Sequence, residues 1–188
     1  MRIAIIGGIG SGKSEVTKIL EELGKNVVRA DDINARLLRD AGYIKKLKEL
    51  FPLYVSADGD VDKRAIAEAI YTDRYTRDKL NALAHPLIMD RILAKTGVGT
   101  WFAEIPLMKE SYVEYFDRIW YVKSTDEQRI ARVVKRDNMS VAAAMRIMRA
   151  QTEYSGIEEY ATDIIINDGS VSGLRQSVKD LCRGLDEK

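Results

Sequence analysis

Ile3-Ala4-Ile5-Ile6-Gly7-Gly8-Ile9-Gly10-Ser11-Gly12-Lys13-Ser14 is the stretch whose reading decides the fold. Its first four residues form a short continuous apolar run ended by a glycine pair, the pattern of a strand buried on both faces. Residues 13–23 then carry Val16, Ile19, Leu20 and Leu23 at helical spacing, with Gly24 as the stop. Asn26-Val27-Val28 reads as a second strand, and Asp31 follows it. Strand, helix and strand within about thirty residues make the βαβ unit of a parallel sheet.

Between that first strand and helix, Gly7 through Ser14 matches G-x-x-x-x-G-K-[ST] without a gap. Glycines let the backbone curl so that successive N–H groups point inward at phosphate oxygens, and the following helix adds the positive end of its dipole. The expected nucleotide-binding residues are Gly8, Ile9, Gly10, Ser11, Gly12, Lys13, Ser14 and Glu15, the last through its backbone N–H. Lys13 reaches the β and γ phosphates, and the Ser14 hydroxyl suits magnesium. A dinucleotide loop fails on spacing, because counting G-x-G-x-x-G from Gly8 puts Lys13 at the third glycine. A plain glycine-rich turn linking strand to helix is the alternative, and the loop's position directly between the predicted strand and helix argues against it. The loop implies a nucleoside triphosphate.

The rest of the composition narrows the class. Across 188 residues, 30 Lys and Arg face 29 Asp and Glu, a net charge of +1 that argues against a whole-surface nucleic-acid or membrane binder. One cysteine, Cys182, permits no intrachain disulfide, and one histidine, His85, excludes any site needing two imidazoles. No apolar run approaches the roughly 18 residues of a membrane span. The apolar stretch at residues 3–6 is too short for a signal peptide, so a soluble, cytoplasmic protein is expected.

Residues 34–95 show mainly helical periodicity, interrupted by the turn residues Ser56-Ala57-Asp58-Gly59-Asp60. Strand-like runs return at 98–105, 119–122 and 164–166, with a helical and locally basic stretch at 126–151. The expected fold is α/β: a parallel five-stranded sheet flanked by helices, with two helical excursions.

A phosphate loop alone does not separate kinase from switch. The N-K-x-D element of guanine-specific switches is absent, and the chain is short for a motor. A small-molecule kinase needs a base, an acceptor pocket and a cationic lid. Asp31 and Asp32 stand where an open parallel sheet presents its crevice; either suits a base, and either suits an N-cap for the helix starting near Ile33. Arg129, Arg132 and Arg136 fall at i, i+3 and i+7 on one helical face with few balancing acids. A lid over the phosphates fits this stripe better than a solvated face. Nucleic-acid binding, the competing functional reading, ranks below the lid for want of interleaved aromatics. Glu104, at a strand end, suits a magnesium-bound water or plain solvation. His85, ahead of Pro86 at an expected helix start, reads as a capping or packed histidine as readily as a functional one.

These motifs together resemble the dephospho-coenzyme A kinase family over residues 1–169. Gly7 to Ser14 is similar to its phosphate loop. Ala30-Asp31-Asp32-Ile33 resembles its Asp-Ala-Asp-x-Ile element; counting from Gly24 puts the family's base at Asp31, with Arg29 in place of the first aspartate. Leu80-Asn81-Ala82-Leu83-Ala84-His85-Pro86-Leu87-Ile88 is similar to its Leu-Asn-x-x-x-His-Pro-x-Ile signature, and Pro106-Leu107-Met108-Lys109-Glu110 to its Pro-Leu-Leu-x-Glu turn. The resemblance implies ATP and Mg²⁺ as cofactors, dephospho-coenzyme A as acceptor, and a P-loop kinase fold with a helical acceptor domain and a helical lid. It implies catalysis by Asp31, Lys13, Arg136 and Arg132, acceptor contacts from Asp31, His85 and Arg36, metal contacts from Ser14 and Glu104, and nucleotide contact from Asn167. The implied division is a core of 1–33, 96–125 and 152–188, an acceptor domain of 34–95, and a lid of 126–151.

Overall fold

The computed structural model describes residues 1–151 and 156–186. Residues 152–155 and 187–188 of the expected core lie outside them. The chain divides into two compact units, Met1–Val28 with Thr96–Lys188, and Arg29–Lys95.

The first unit is built on a five-stranded parallel sheet of order β2-β3-β1-β4-β5. The strands are β1 (Arg2–Ile6), β2 (Asn26–Arg29), β3 (Trp101–Glu104), β4 (Arg118–Lys123) and β5 (Asp163–Ile166). β1 takes the centre, with Ile3 facing Phe102 on one side and Arg118 on the other. A central parallel strand has no wet face, which is why Ile3, Ala4 and Ile5 are fully buried. β3 is shorter than the expected run at 98–105; Val98 precedes it and is almost fully exposed.

Helix α1 (Lys13–Glu22) follows β1, and its buried Val16, Ile19 and Leu20 join Phe102, Trp120 and Val122 in the core. It stops at Gly24 in a Schellman turn: Lys25 N–H donates to Leu20 O at 3.0 Å and Gly24 N–H to Glu21 O at 2.9 Å. The second unit contributes α2 (Ala30–Leu37), α3 (Ala41–Leu50), α4 (Lys63–Thr72) and α5 (Arg74–Lys95). The expected turn at 56–60 is a small hairpin, closed by an antiparallel bridge between Val55 and Val61. The first unit is completed by α6 (Asp126–Asp137), α7 (Val141–Gln151) and α8 (Val171–Asp186). Asn138, at φ 49°, ends α6 and separates it from α7. Among the described residues no helix is long and apolar enough to cross a membrane.

Two local expectations are corrected. Pro86 does not start a helix but lies inside α5; its ring removes one backbone donor, and the long apolar face of the helix (Ala84, Ile88, Met89 and Ile92 buried) carries the pattern through it. The N-cap of α2 is Arg29, with no side-chain cap bond, so Asp31 and Asp32 lie in the first turn and neither is the cap.

Candidate active site

β1 sits where the strand order reverses, so the loop after Ile6 opens at the sheet's binding crevice. Gly10 shows why the loop needs glycine. Its φ is 75°, and a Cβ there would stand 2.6 Å from the carbonyl oxygen of Arg129, a helix backbone atom that cannot swing aside. Gly12, at φ 100°, is the N-cap of α1 and offers no side chain to the helix's first N–H groups. Those donors stay with the backbone: Glu15 and Val16 N–H both bond Gly12 O, at 3.0 and 3.1 Å.

The loop's carbonyls are turned toward cations and amides. Arg129 Nε donates to Ile9 O at 3.0 Å, and Arg132 Nη1 to Gly10 O and Ser11 O at 3.2 and 3.3 Å. Asn167 Nδ2 donates to Ser11 O at 2.8 Å. In a planar trans peptide the N–H points opposite to its C=O. The N–H groups of Gly10 and Gly12 therefore aim away from the guanidinium groups, while Ser11 N–H closes a turn on Gly8 O at 3.2 Å. Lys13 Nζ bonds Gly7 O at 2.7 Å and Gly8 O at 3.1 Å, folding its charge over the loop.

Ser14 and Glu104 are brought together. Ser14 Oγ donates to Glu104 Oε1 at 2.9 Å, and Thr17 Oγ1 donates to Oε2 at 2.9 Å. Glu104 is 5% exposed, so its carboxylate is solvated by protein groups, these two hydroxyls among them. Among the described residues no three His, Cys, Asp or Glu side chains gather as a metal set. One hydroxyl and one carboxylate nonetheless fit Mg²⁺, which keeps waters and takes its remaining oxygens from substrate phosphates. Thr17 escaped the sequence reading; its position three residues after Ser14, on the same helix face, is the signal that finds it.

The three arginines of the stripe have different partners. Arg132 also bonds Ser124 Oγ, Gln128 Oε1 and Asn167 O, at 3.1, 3.3 and 2.8 Å. Arg136, in the last turn of α6, bonds both Asp137 oxygens at 2.7 Å and holds that carboxyl below its ordinary range. Gln151, at the end of α7, accepts the N–H of Ile9 at 2.8 Å. A cavity of about 210 Å³ beside the loop is lined in part by Gly7, Gly8, Met108, Tyr121, Arg129 and Gln151. Burial raises the Tyr121 phenol above its usual value, and its bond to Glu158 adds to the shift.

Asp31, Arg36 and His85 belong to the second unit. Asp31 and Arg36 are exposed on α2, at its first and last turns, and His85 is half-buried on α5. The acids at the start of α2 and the arginine at its end both complement the helix dipole.

The dephospho-CoA kinase family model matches residues 1–173. A dephospho-CoA kinase of Bordetella pertussis is 36% identical over 179 residues, covering 91% of this chain and 83% of that protein. A solved structure from Thermus thermophilus is 30% identical with a TM-score of 0.80, over 98% of this chain and 97% of its own. The dephospho-CoA kinase of Campylobacter jejuni shares the fold at 23% identity and a TM-score of 0.69, over 99% and 97% of the two chains. With a family model spanning nearly its whole length, beginning at the strand and loop from which the site is built, this chain belongs to the dephospho-CoA kinase family.

Proposed function

We propose that the chain transfers the γ-phosphoryl group of ATP to the ribose 3′-hydroxyl of dephospho-coenzyme A, the last step in making coenzyme A. The observation that carries this reading is the loop of residues 7–14, whose carbonyls are held by Arg129, Arg132 and Asn167, which turns the N–H groups of Gly10 and Gly12 away from those side chains, the arrangement an anion site needs. The acceptor oxygen attacks the γ-phosphorus, the bond to the β–γ bridging oxygen breaks, and ADP leaves. Asp31 takes the proton of the attacking hydroxyl. Lys13 exchanges its loop carbonyls for the β and γ phosphates. Ser14 and Glu104 would hold Mg²⁺, which when bound neutralises charge on the phosphate oxygens. Arg132 and Arg136 add positive charge along α6, and Asn167 keeps the Ser11 end of the loop in shape. The acceptor domain is assigned to the compact unit Arg29–Lys95, which begins ahead of the expected 34–95 and so takes in Asp31, with His85 and Arg36 among its contacts, and residues 126–151 are the lid.

Release of ADP from ATP, measured with and without acceptor, tests the reading. Turnover should require dephospho-coenzyme A and should not occur with nucleoside monophosphates. Equal turnover without acceptor would make the protein a nucleotide hydrolase or switch.

A further inference from the structure

Ile9 is held on both of its polar sides, by different helices. Its N–H, in the Gly8–Ile9 peptide, donates to Gln151 Oε1 of α7 at 2.8 Å. Its carbonyl, in the Ile9–Gly10 peptide, accepts from Arg129 Nε of α6 at 3.0 Å. Arg129 is steadied in turn by Asp126, 2.8 Å away, and its side chain is only 18% exposed. The two bonds fix the peptide planes before and after Ile9, and so its φ and ψ together. That constraint matters because Ile9 stands between Gly8 and Gly10, and a peptide next to glycine rotates at little steric cost. Rotation of the Ile9–Gly10 plane would turn a carbonyl oxygen to the side where Gly10 now offers its N–H. An oxygen there repels a phosphate that the N–H would stabilise.

We infer that Arg129 and Gln151 are positioning residues for phosphoryl transfer, clamping the two peptides flanking Ile9 so that the Gly10 N–H stays aimed at the transferring phosphate. The inference rests on the phosphate-loop reading given above. It also assigns the two helices of residues 126–151 a shared task, since the clamp is complete only when both α6 and α7 touch the loop.

The experiment compares Arg129→Met, Gln151→Met and the double variant, each of which keeps side-chain bulk while removing the polar contact. Each single substitution should lower kcat about tenfold to a hundredfold, below the cost of deleting a transition-state donor outright, and leave the KM for ATP within about threefold. The double variant should lose no more than the worse single one, because both act through the same residue. Gln151→Glu, which keeps the accepting oxygen, should recover most of the rate lost in Gln151→Met. Losses that multiply in the double variant, losses confined to KM, or a lowered melting temperature with unchanged kcat overturn the clamp. Wild-type protein without acceptor-dependent ATP turnover overturns the phosphoryl-transfer reading and the clamp with it.

Discussion

Lys13 is buried to 9% exposure, with its ammonium on the loop carbonyls of Gly7 and Gly8. Lys13→Ala should lower the rate by about a hundredfold or more while the circular dichroism spectrum stays native, since it removes charge from the phosphates and nothing from the apolar core. Normal turnover in that variant would dismiss the loop assignment. The aspartate pair makes a sharper test. Arg29 caps α2, so Asp32 is relieved of the capping role its sequence position suggests. Asp31→Asn should cost about a hundredfold or more in kcat with both substrates still bound, because a carboxamide fills the same space but cannot take the proton. Asp32→Asn should cost only the helix-dipole contribution, about 0.3–1 kcal/mol, and leave the rate intact. If the rate loss instead follows Asp32, the base has been assigned one residue too early.

The β3–α1 corner joins Glu104, Ser14 and Thr17 in one buried set of hydrogen bonds. Glu104→Gln should raise the Mg²⁺ concentration needed for half-maximal rate about tenfold, because a carboxamide still bonds the hydroxyls but is a poorer ligand for a hard cation. An unchanged Mg²⁺ dependence would remove Glu104 from the metal set. At the start of α5, Asp73 accepts from the hydroxyl and N–H of Thr76 and the N–H of Tyr75, which together hold its carboxyl below the usual 3.8. A depressed folded-state value means that this stabilisation is present above pH 3.8 and lost as pH falls through the lower folded-state value. Asp73→Ala should therefore lower the melting temperature near neutrality and narrow its gap from wild type below pH 3.8; a gap that widens in acid would contradict a stabilising role for these hydrogen bonds. The same scale shows what was legible beforehand. β1, the loop and α1 could be read because burial on both faces, glycine geometry and helical spacing are local properties. Pro86 misled because proline is favoured at the first position of a helix, and only the long apolar face of α5 shows that the helix runs through it. The division of labour along α6 was hidden because Arg129 and Arg132 find their partners at Ile9, Gly10 and Ser11, more than a hundred residues away.

At the scale of the whole molecule, the chain is two compact units, one carrying the phosphate loop and the other carrying Asp31, Arg36 and His85. Two substrates binding two units should leave separate footprints, because a ligand stabilises what it touches by mass action, about 2.7 kcal/mol at a hundredfold excess over Kd. Hydrogen exchange reads this unit by unit. ATP alone should slow exchange in the loop and first turn of α1 and leave most amides of α3, α4 and α5 unchanged. Dephospho-coenzyme A alone should slow exchange within Arg29–Lys95, most in α2 and in the part of α5 around His85. Lys13→Ala should erase the first footprint and keep the second. If the acceptor protects only amides of the first unit, then Arg29–Lys95 is not the acceptor domain, and Asp31 loses its claim to the acceptor hydroxyl even though the phosphate loop keeps its own.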